Sequence, residues 1–567
     1  MEVLVHVLAC CLSPPLTHGG AVVVDTQLGK VRGLQTSRNQ IYRGVPYAQP
    51  PVGEQRWRPP LPVSPWQPGT LDASGDVTIG CPQVHCDVFM SDFDCPRQTS
   101  EDCLKMNIYT PAAANNSSLL PVMFFIHGGS YIWCSGTAPL FDGSVLAERG
   151  DVIVVTFNYR LGVMGFLVTG TSKLTDATGN YGLQDQRLAL QWVNQHIRSF
   201  GGDPRKVTVF GQSCGAQSVF NHMASKESSK YFRSGIVQSP AVGVALRSFE
   251  EQFNVSKLFA KKLGCPVSDL KCMKNYSAQE VVEAAFSCAF DISTLNGDQI
   301  SSFHGLHPFG PYVDGEEVKG QFVDVMTSGD FTPKPLIVGT TRDENMKEVE
   351  LVFKKHMSLP LYLWALGSLS RTRWIELVMT YPPHGITADH SEAFATADAD
   401  HMFTCPSRNI SFAVVGQGRR KVRQYDEDKA RPDVWLYVWD RSIRLPGWLE
   451  DCPDHKACHE AELPYVFAAA YKKNVSFPYE DQQLSDLVID YWTNFAWSGD
   501  PNIPRPTAVS GQRKLLHWPR IQSRSEYHAF FFQVPGSHVI KNYRRPECDF
   551  WDSIGYYPKQ VNQHGID

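Results

Sequence analysis

The sequence predicts an α/β protein with a large, mostly parallel central sheet flanked by helices and carrying helical insertions. Three observations carry that prediction. Short, strongly apolar runs recur along the chain, two of them are separated by a stretch of helical period, and a third ends on a serine flanked by glycines. With 567 residues, 43% hydrophobic and 11% aromatic, the chain can bury a large core and lies far from disordered composition. No Gly/Ser-rich linker, repeat or long charge block interrupts it, so residues 21–567 read as one large domain.

Taken in order, the first third reads as short β segments punctuated by turns. It leads into the runs at 121–126 (Pro-Val-Met-Phe-Phe-Ile) and 152–156 (Val-Ile-Val-Val-Thr), both of the kind expected of parallel strands buried on two faces. Between Leu183 and Phe200 the apolar residues Leu190, Val193 and Ile197 recur at helical spacing. Gly201-Gly202 then stops the helix, and Asp203-Pro204 opens the next strand, whose core is Val207-Thr208-Val209-Phe210. Further strands are expected at 335–339 and 434–439, each followed by a polar loop at the same carboxyl edge, where catalytic side chains of open α/β sheets gather.

Directly after Phe210 stands Gly211-Gln212-Ser213-Cys214-Gly215. A Gly-x-Ser-x-Gly segment between a buried strand and a helix is a nucleophile elbow: the glycines admit a sharp turn without Cβ clashes, and Ser213 is held above the sheet edge at a helix N-terminus. The pattern alone is equally a tight turn, and the rest of the chain decides between the two. A serine nucleophile needs donors for the oxyanion of a tetrahedral intermediate. His127-Gly128-Gly129-Ser130 follows a predicted strand, and the backbone N–H groups of Gly129, Ser130 and Cys214 are the expected donors. The plainer reading of Gly128-Gly129 is strand punctuation.

Charge and compartment narrow the function classes. A net charge of -5 with both signs interspersed leaves no basic stripe for nucleic acid and no polybasic membrane patch. Residues 1–20 read as a signal peptide, a short apolar run ending near Gly19-Gly20, with a buried N-terminal strand as the competing reading. No integral membrane segment is expected, because no later stretch reaches the roughly 18 apolar residues that span a bilayer. Sequons at Asn115, Asn116, Asn254, Asn275, Asn409 and Asn474, with 15 cysteines, point to a secreted glycoprotein or to the lumen of the secretory pathway.

At this point the chain resembles the carboxylesterase and cholinesterase family, the type-B esterases of the α/β-hydrolase fold. The resemblance runs from about Gly29 to the C-terminal region. It is carried by Tyr42-Arg-Gly-Val-Pro-Tyr-Ala-Gln-Pro-Pro51, Ser100-Glu-Asp-Cys-Leu104, Asn107-Ile-Tyr-Thr-Pro111, Asn158-Tyr-Arg-Leu-Gly162, Gly179-Asn-Tyr-Gly-Leu183 and Phe200-Gly-Gly-Asp-Pro204. In this fold the triad follows in the order serine, acid, histidine. Thr340-Thr-Arg-Asp-Glu344 is similar to the family's acid loop, which selects Glu344 over Asp343, although Asn345 stands where the family usually has glycine. His459 opens a family-like His-x-x-Glu-Leu-x-Tyr-Val-Phe segment and is assigned as the general base, with His455 left on the surface. Cys452, His455, Cys458 and His459 also have zinc-type spacing, but an oxidising compartment favours a Cys452–Cys458 disulfide, so neither metal nor cofactor is expected.

The resemblance pairs Cys81 with Cys103, Cys265 with Cys272 and Cys405 with Cys548. Cys86 and Cys95 are open to an additional bridge, and Cys134, Cys214 and Cys288 are left unassigned, a bridge between Cys134 and Cys214 included. Cholinesterases hold a quaternary ammonium on a tryptophan of the first disulfide loop. Between Cys81 and Cys103 this chain has Phe89, Phe93 and no tryptophan, and Gln212 replaces the glutamate common before the serine. Phe89 and Phe93 are open to contact with an apolar substrate or to simple core packing. The resemblance therefore implies a carboxylic ester hydrolase acting on small neutral esters, with Ser213, Glu344 and His459 as its triad. Cholinesterase activity, a lipase acting at interfaces, and an adhesion or scaffold member that has lost catalysis are the rivals; fold alone does not decide among them. The oligomeric state and the natural ester stay open.

Overall fold

The computed structural model describes residues 20–295, 308–353, 356–370, 372–425, 432–442, 448, 452–469, 477–507 and 514–557. The expected signal segment (apart from Gly20) and the sequon at Asn474 lie outside the described residues, as does the side chain of Phe89.

The chain opens with β1 (Gly20–Thr26), β2 (Gly29–Gln35), β3 (Asn39–Pro46) and a short β4 (Thr70–Asp72), then β5 (Ile79–Gly80) and β6 (Gln98–Thr99), which form a separate pair. The main sheet continues with β7 (Lys105–Pro111), β8 (Leu120–Ile126), β9 (Ile153–Phe157), β10 (Gly202–Gln212), β11 (Ser234–Gln238), β12 (Leu336–Thr341), β13 (Val434–Trp439), β14 (His528–Phe532) and β15 (His538–Lys541). Its order is β1-β2-β3-β7-β9-β8-β10-β11-β12-β13-β14-β15, with β4 paired to β2, thirteen strands in all.

The interior run from β9 to β14 is parallel throughout, whereas β1, β2, β3, β7 and β9 pair antiparallel in succession, as does the final β15 with β14; the short β4 joins β2 in parallel. The burial patterns explain the split. Every residue of β8, β9, β12 and β13 is buried, as a parallel strand covered on both faces requires. In β1, partly buried residues alternate with exposed ones, the signature of a sheet edge with one wet face.

The start of β10 moves, and one further strand appears. The helix Tyr181–His196 tightens into a 3-10 turn at Ile197–Phe200, and Gly201 at φ 93 ends it, so Gly202 already belongs to β10. β11 was not anticipated, because Ser234-Gly-Ile-Val-Gln238 is short and half polar; its neighbours β10 and β12 bury it completely. Between β12 and β13 the chain makes its helical insertion: Met346–Phe353, Leu359–Leu369, Trp374–Thr380, Ser391–Ala399 and Cys405–Tyr425.

The structure joins Cys81 to Cys103, Cys86 to Cys95, Cys265 to Cys272, Cys405 to Cys548 and Cys452 to Cys458. Cys134 and Cys214 are buried and unbridged, so the bridge considered between them is not formed, and Cys288 is buried. These disulfides fit folding in an oxidising compartment. Among the described residues no helix is long and apolar enough to cross a membrane. Asn115, Asn116, Asn254 and Asn275 are exposed. Asn409 departs from the loop expected of a glycan acceptor: it lies within the helix Cys405–Tyr425, is 8% exposed, and its Oδ1 accepts from Arg524 Nη2 at 2.7 Å.

Candidate active site

β10 delivers Gln212 and Ser213 to the carboxyl edge of the sheet. Ser213 turns at φ 56, ψ −124, and the helix Cys214–Ala224 departs at once. The Ser213 N–H donates to Gln238 O at the end of β11 at 2.8 Å, which anchors the turn to the neighbouring strand. Close approach explains the flanking glycines. A Cβ on Gly211 would lie 2.5 Å from Gly215 O, and one on Gly215 would lie 2.1 Å from Ile126 O.

The loop after β8 lies against this elbow. Gly129, Ser130 and Tyr131 take φ values of 91, 58 and 61, a left-handed run that curls the chain back toward Cys214. The Tyr131 N–H donates to Cys214 Sγ at 3.2 Å, and the Ser130 N–H acts on the same sulfur. Burial pushes the Cys214 thiol up to about 12, so it sits there as a neutral acceptor that ties the loop to the elbow helix. Tyr159 closes the other side by donating to His127 O at 2.9 Å and stacking on the His127 ring. Burial draws His127 down to about 4, which keeps that ring uncharged. Among the described residues the N–H groups of Gly129 and Cys214 have no intramolecular acceptor.

The segment after β12 supplies the carboxylates. Glu344 is fully buried; its Oε1 accepts the Thr341 N–H at 2.7 Å and its Oε2 pairs with His459 Nδ1 at 2.5 Å. Asp343 does separate work. Its Oδ2 accepts the Ala457 N–H at 2.9 Å, and its own N–H donates to Ala457 O at 3.0 Å, pinning the loop that carries the histidine. The Cys452–Cys458 disulfide holds the same loop immediately before His459, while His455 is exposed. Asn345 turns away to donate to Asp398 Oδ2 at 2.9 Å, so its side chain braces the insertion.

The structure thus brings Ser213, Glu344 and His459 to one sheet edge, with one difference from the expected relay. Nε2 of His459 lies 3.0 Å from Gln212 Nε2, and among the described residues no hydrogen bond joins it to Ser213 Oγ. Burial pulls the imidazole's affinity for a proton down. The carboxylate of Glu344, helped by Glu460 and Glu348, outweighs that and leaves His459 raised to about 9.

Several neighbours escaped the sequence reading. Phe403, in a π-helical turn of the insertion, sets its ring 5.1 Å from that of His459. Glu462, raised to about 7 by burial first and Glu344 second, accepts from Gln238 Nε2 at 3.0 Å, and Trp492 Nε1 donates to Gln238 Oε1 at 3.4 Å. Burial first and Glu460 second push Asp94 of the Cys86–Cys95 loop well above the usual carboxylate range. Trp133 reaches the same loop, but it is buried beside Cys86 and Cys95 with its Nε1 donating to Val84 O at 2.9 Å. Phe93 is partly buried against the core. Glu462, Phe93 and Asp94 lay within segments the sequence had marked; Phe403, Gln238 and Trp492 did not.

The comparisons with known proteins agree with this fold. A family model described as the carboxylesterase family matches residues 20–551. Neuroligin-3 of Mus musculus is 32% identical over 622 residues, which cover 97% of this chain and 70% of that protein. The crystal protein of Dictyostelium discoideum is 29% identical over 544 residues, covering 94% of this chain and 92% of its own. Among solved structures, a PNB esterase matches with a TM-score of 0.74 and 29% identity, over 94% of this chain and 99% of that one.

Proposed function

The chain belongs to the carboxylesterase family, and from that membership we propose that it hydrolyses neutral carboxylic esters through an acyl-enzyme on Ser213. The observation that carries the reading is the Glu344–His459 hydrogen bond beside the elbow, which orients a base whose Nδ1 proton is already committed to a carboxylate.

In acylation, Ser213 Oγ bonds to the ester carbonyl carbon while its proton passes to His459 Nε2. The carbonyl oxygen becomes an oxyanion held by the N–H groups of Gly129 and Cys214, whereas the Ser130 N–H, expected from the sequence as a third donor, is engaged by Cys214 Sγ. The intermediate collapses, the bond to the alcohol oxygen breaks, and His459 returns the proton to that oxygen. A water, deprotonated by His459, then attacks the acyl-enzyme; the acid leaves and Ser213 recovers its proton. Glu344 keeps its proton-free carboxylate on Nδ1 throughout and balances the imidazolium.

Two features favour uncharged esters. The loop between Cys81 and Cys103 carries no tryptophan, and residue 212, in contact with the base, is an amide rather than a carboxylate. The likeness to a PNB esterase points the same way. A second reading, a member of the fold that binds without turnover, has one observation in its favour: His459 meets Gln212 and not Ser213.

Hydrolysis of p-nitrophenyl butyrate by the purified protein, beside Ser213→Ala and with acetylthiocholine as control, separates the readings. Turnover that disappears in Ser213→Ala, with little thiocholine release, is the expected outcome. Inertness of the wild type toward every ester would sink the hydrolase reading and favour the silent one.

A further inference from the structure

The neutral form of His459, the form that acts as base and that prevails above about pH 9, has one acceptor lone pair once Nδ1 carries its proton toward Glu344, and that lone pair is on Nε2. The atom it faces is the amide nitrogen of Gln212 at 3.0 Å, not the hydroxyl one residue on. Gln212 is itself nearly fully buried. Among the described residues its Oε1 has no partner, and it lies where Gly128 leaves room: a Cβ on Gly128 would sit 2.4 Å from it. The amide is therefore held by its contact with the imidazole and by the hollow under the oxyanion loop, and a carboxamide that gives up that contact leaves no other bond broken.

We propose that Gln212 is a positioning residue that latches His459 away from Ser213, and that ester binding must turn its amide aside before the serine can be deprotonated. This rests on the hydrolase reading above. An imidazole nitrogen accepts one hydrogen bond well, so the bond to Gln212 and the bond to Ser213 are alternatives. The latch costs the reaction what a net neutral hydrogen bond is worth and leaves ester binding, which uses other groups, largely untouched. Charged groups face the ring from several elements. Glu344 and Glu348 come from the segment after β12, Glu460 and Glu462 from the histidine's own loop, and the apolar ring of Phe403 from the insertion.

The test uses the purified protein, p-nitrophenyl butyrate, and a fluorophosphonate probe that labels an activated serine. Gln212→Met keeps the volume and removes the hydrogen bond. Gln212→Glu also removes the donor, and its carboxylate favours the imidazolium. The latch predicts that both variants raise the high-pH plateau of kcat, and the rate of Ser213 labelling, by roughly five- to tenfold with KM little changed. It further predicts that Gln212→Glu moves the acid limb of the pH profile to higher pH.

A plateau equal to or below that of an active wild type in both variants, with both melting like the wild type, would overturn the latch. Should one variant fold poorly, the other carries the same rate comparison. If no protein of the set turns over ester or takes the probe at Ser213, the hydrolase reading itself fails and the latch goes with it. An active wild type whose plateau is unmoved leaves the hydrolase reading standing and removes only the latch.

Discussion

Glu344 and Asp343 are adjacent carboxylates with different work, and their surroundings separate them. Asp343 accepts a backbone N–H of the histidine loop and pairs with Arg342, while Glu344 is sealed from solvent with one oxygen on Thr341 and the other on His459. Replacing Glu344 by Gln keeps the shape and removes the charge that stabilises the imidazolium, so kcat should fall by as much as ~10⁴-fold, measured on p-nitrophenyl butyrate. The pH dependence follows from the same pair. With His459 raised to about 9, the neutral base becomes available only as pH climbs, so kcat/KM should rise through the neutral range and level off above about 9. Stability runs the other way: a raised histidine contributes stability that is fully present below its ordinary value near 6.5 and is lost as pH passes about 9. A melting curve that stays flat across that window while the rate profile bends would contradict the assignment. The choice of Glu344 over its neighbour was legible only through resemblance. Residue type could not separate two carboxylates that differ in burial.

At the scale of elements, the strands that were legible are those buried on both faces, because such strands must be continuously apolar. β8 and β13 appear in the sequence within a residue of their ends. β11 was not legible, since its polar side chains are satisfied by tertiary partners: Ser234 meets Thr208 at 2.9 Å and Gln238 meets Glu462. The turn after β9 depends on another buried contact. Arg160 grips Asp185 of the helix Tyr181–His196 through Nε at 2.8 Å and Nη2 at 2.7 Å, both side chains almost wholly inaccessible. Asp185→Ala strands that guanidinium in the interior and should destabilise the protein by about 3–5 kcal/mol, read from a denaturant curve. A loss below about 1 kcal/mol would show that solvent reaches Arg160 after all.

On the scale of the whole molecule, the sheet gathers residues far apart in the chain: Glu344 and His459 are 115 positions apart, and Gln212 and His459 are 247. The Cys405–Cys548 disulfide spans 143 positions and ties the long helix of the insertion to the helix Arg545–Ile554. Closing so long a loop restricts the unfolded chain most, so replacing both cysteines by Ala should lower stability by about 2–5 kcal/mol, visible as a lower Tm, whereas losing Cys452–Cys458, only 6 positions apart, should cost less. Equal effects would argue against that account. The sequence by itself determined the parallel α/β layering and the strand–turn–helix at Gly211–Gly215, because hydrophobic period and glycine spacing act over a few residues. Only the tertiary structure decided that His459 Nε2 meets Gln212, that Cys214 ties the oxyanion loop through its sulfur, and that Asn409 is enclosed. Each of those outcomes depends on the burial and direction of side chains contributed by distant strands, which no local pattern encodes.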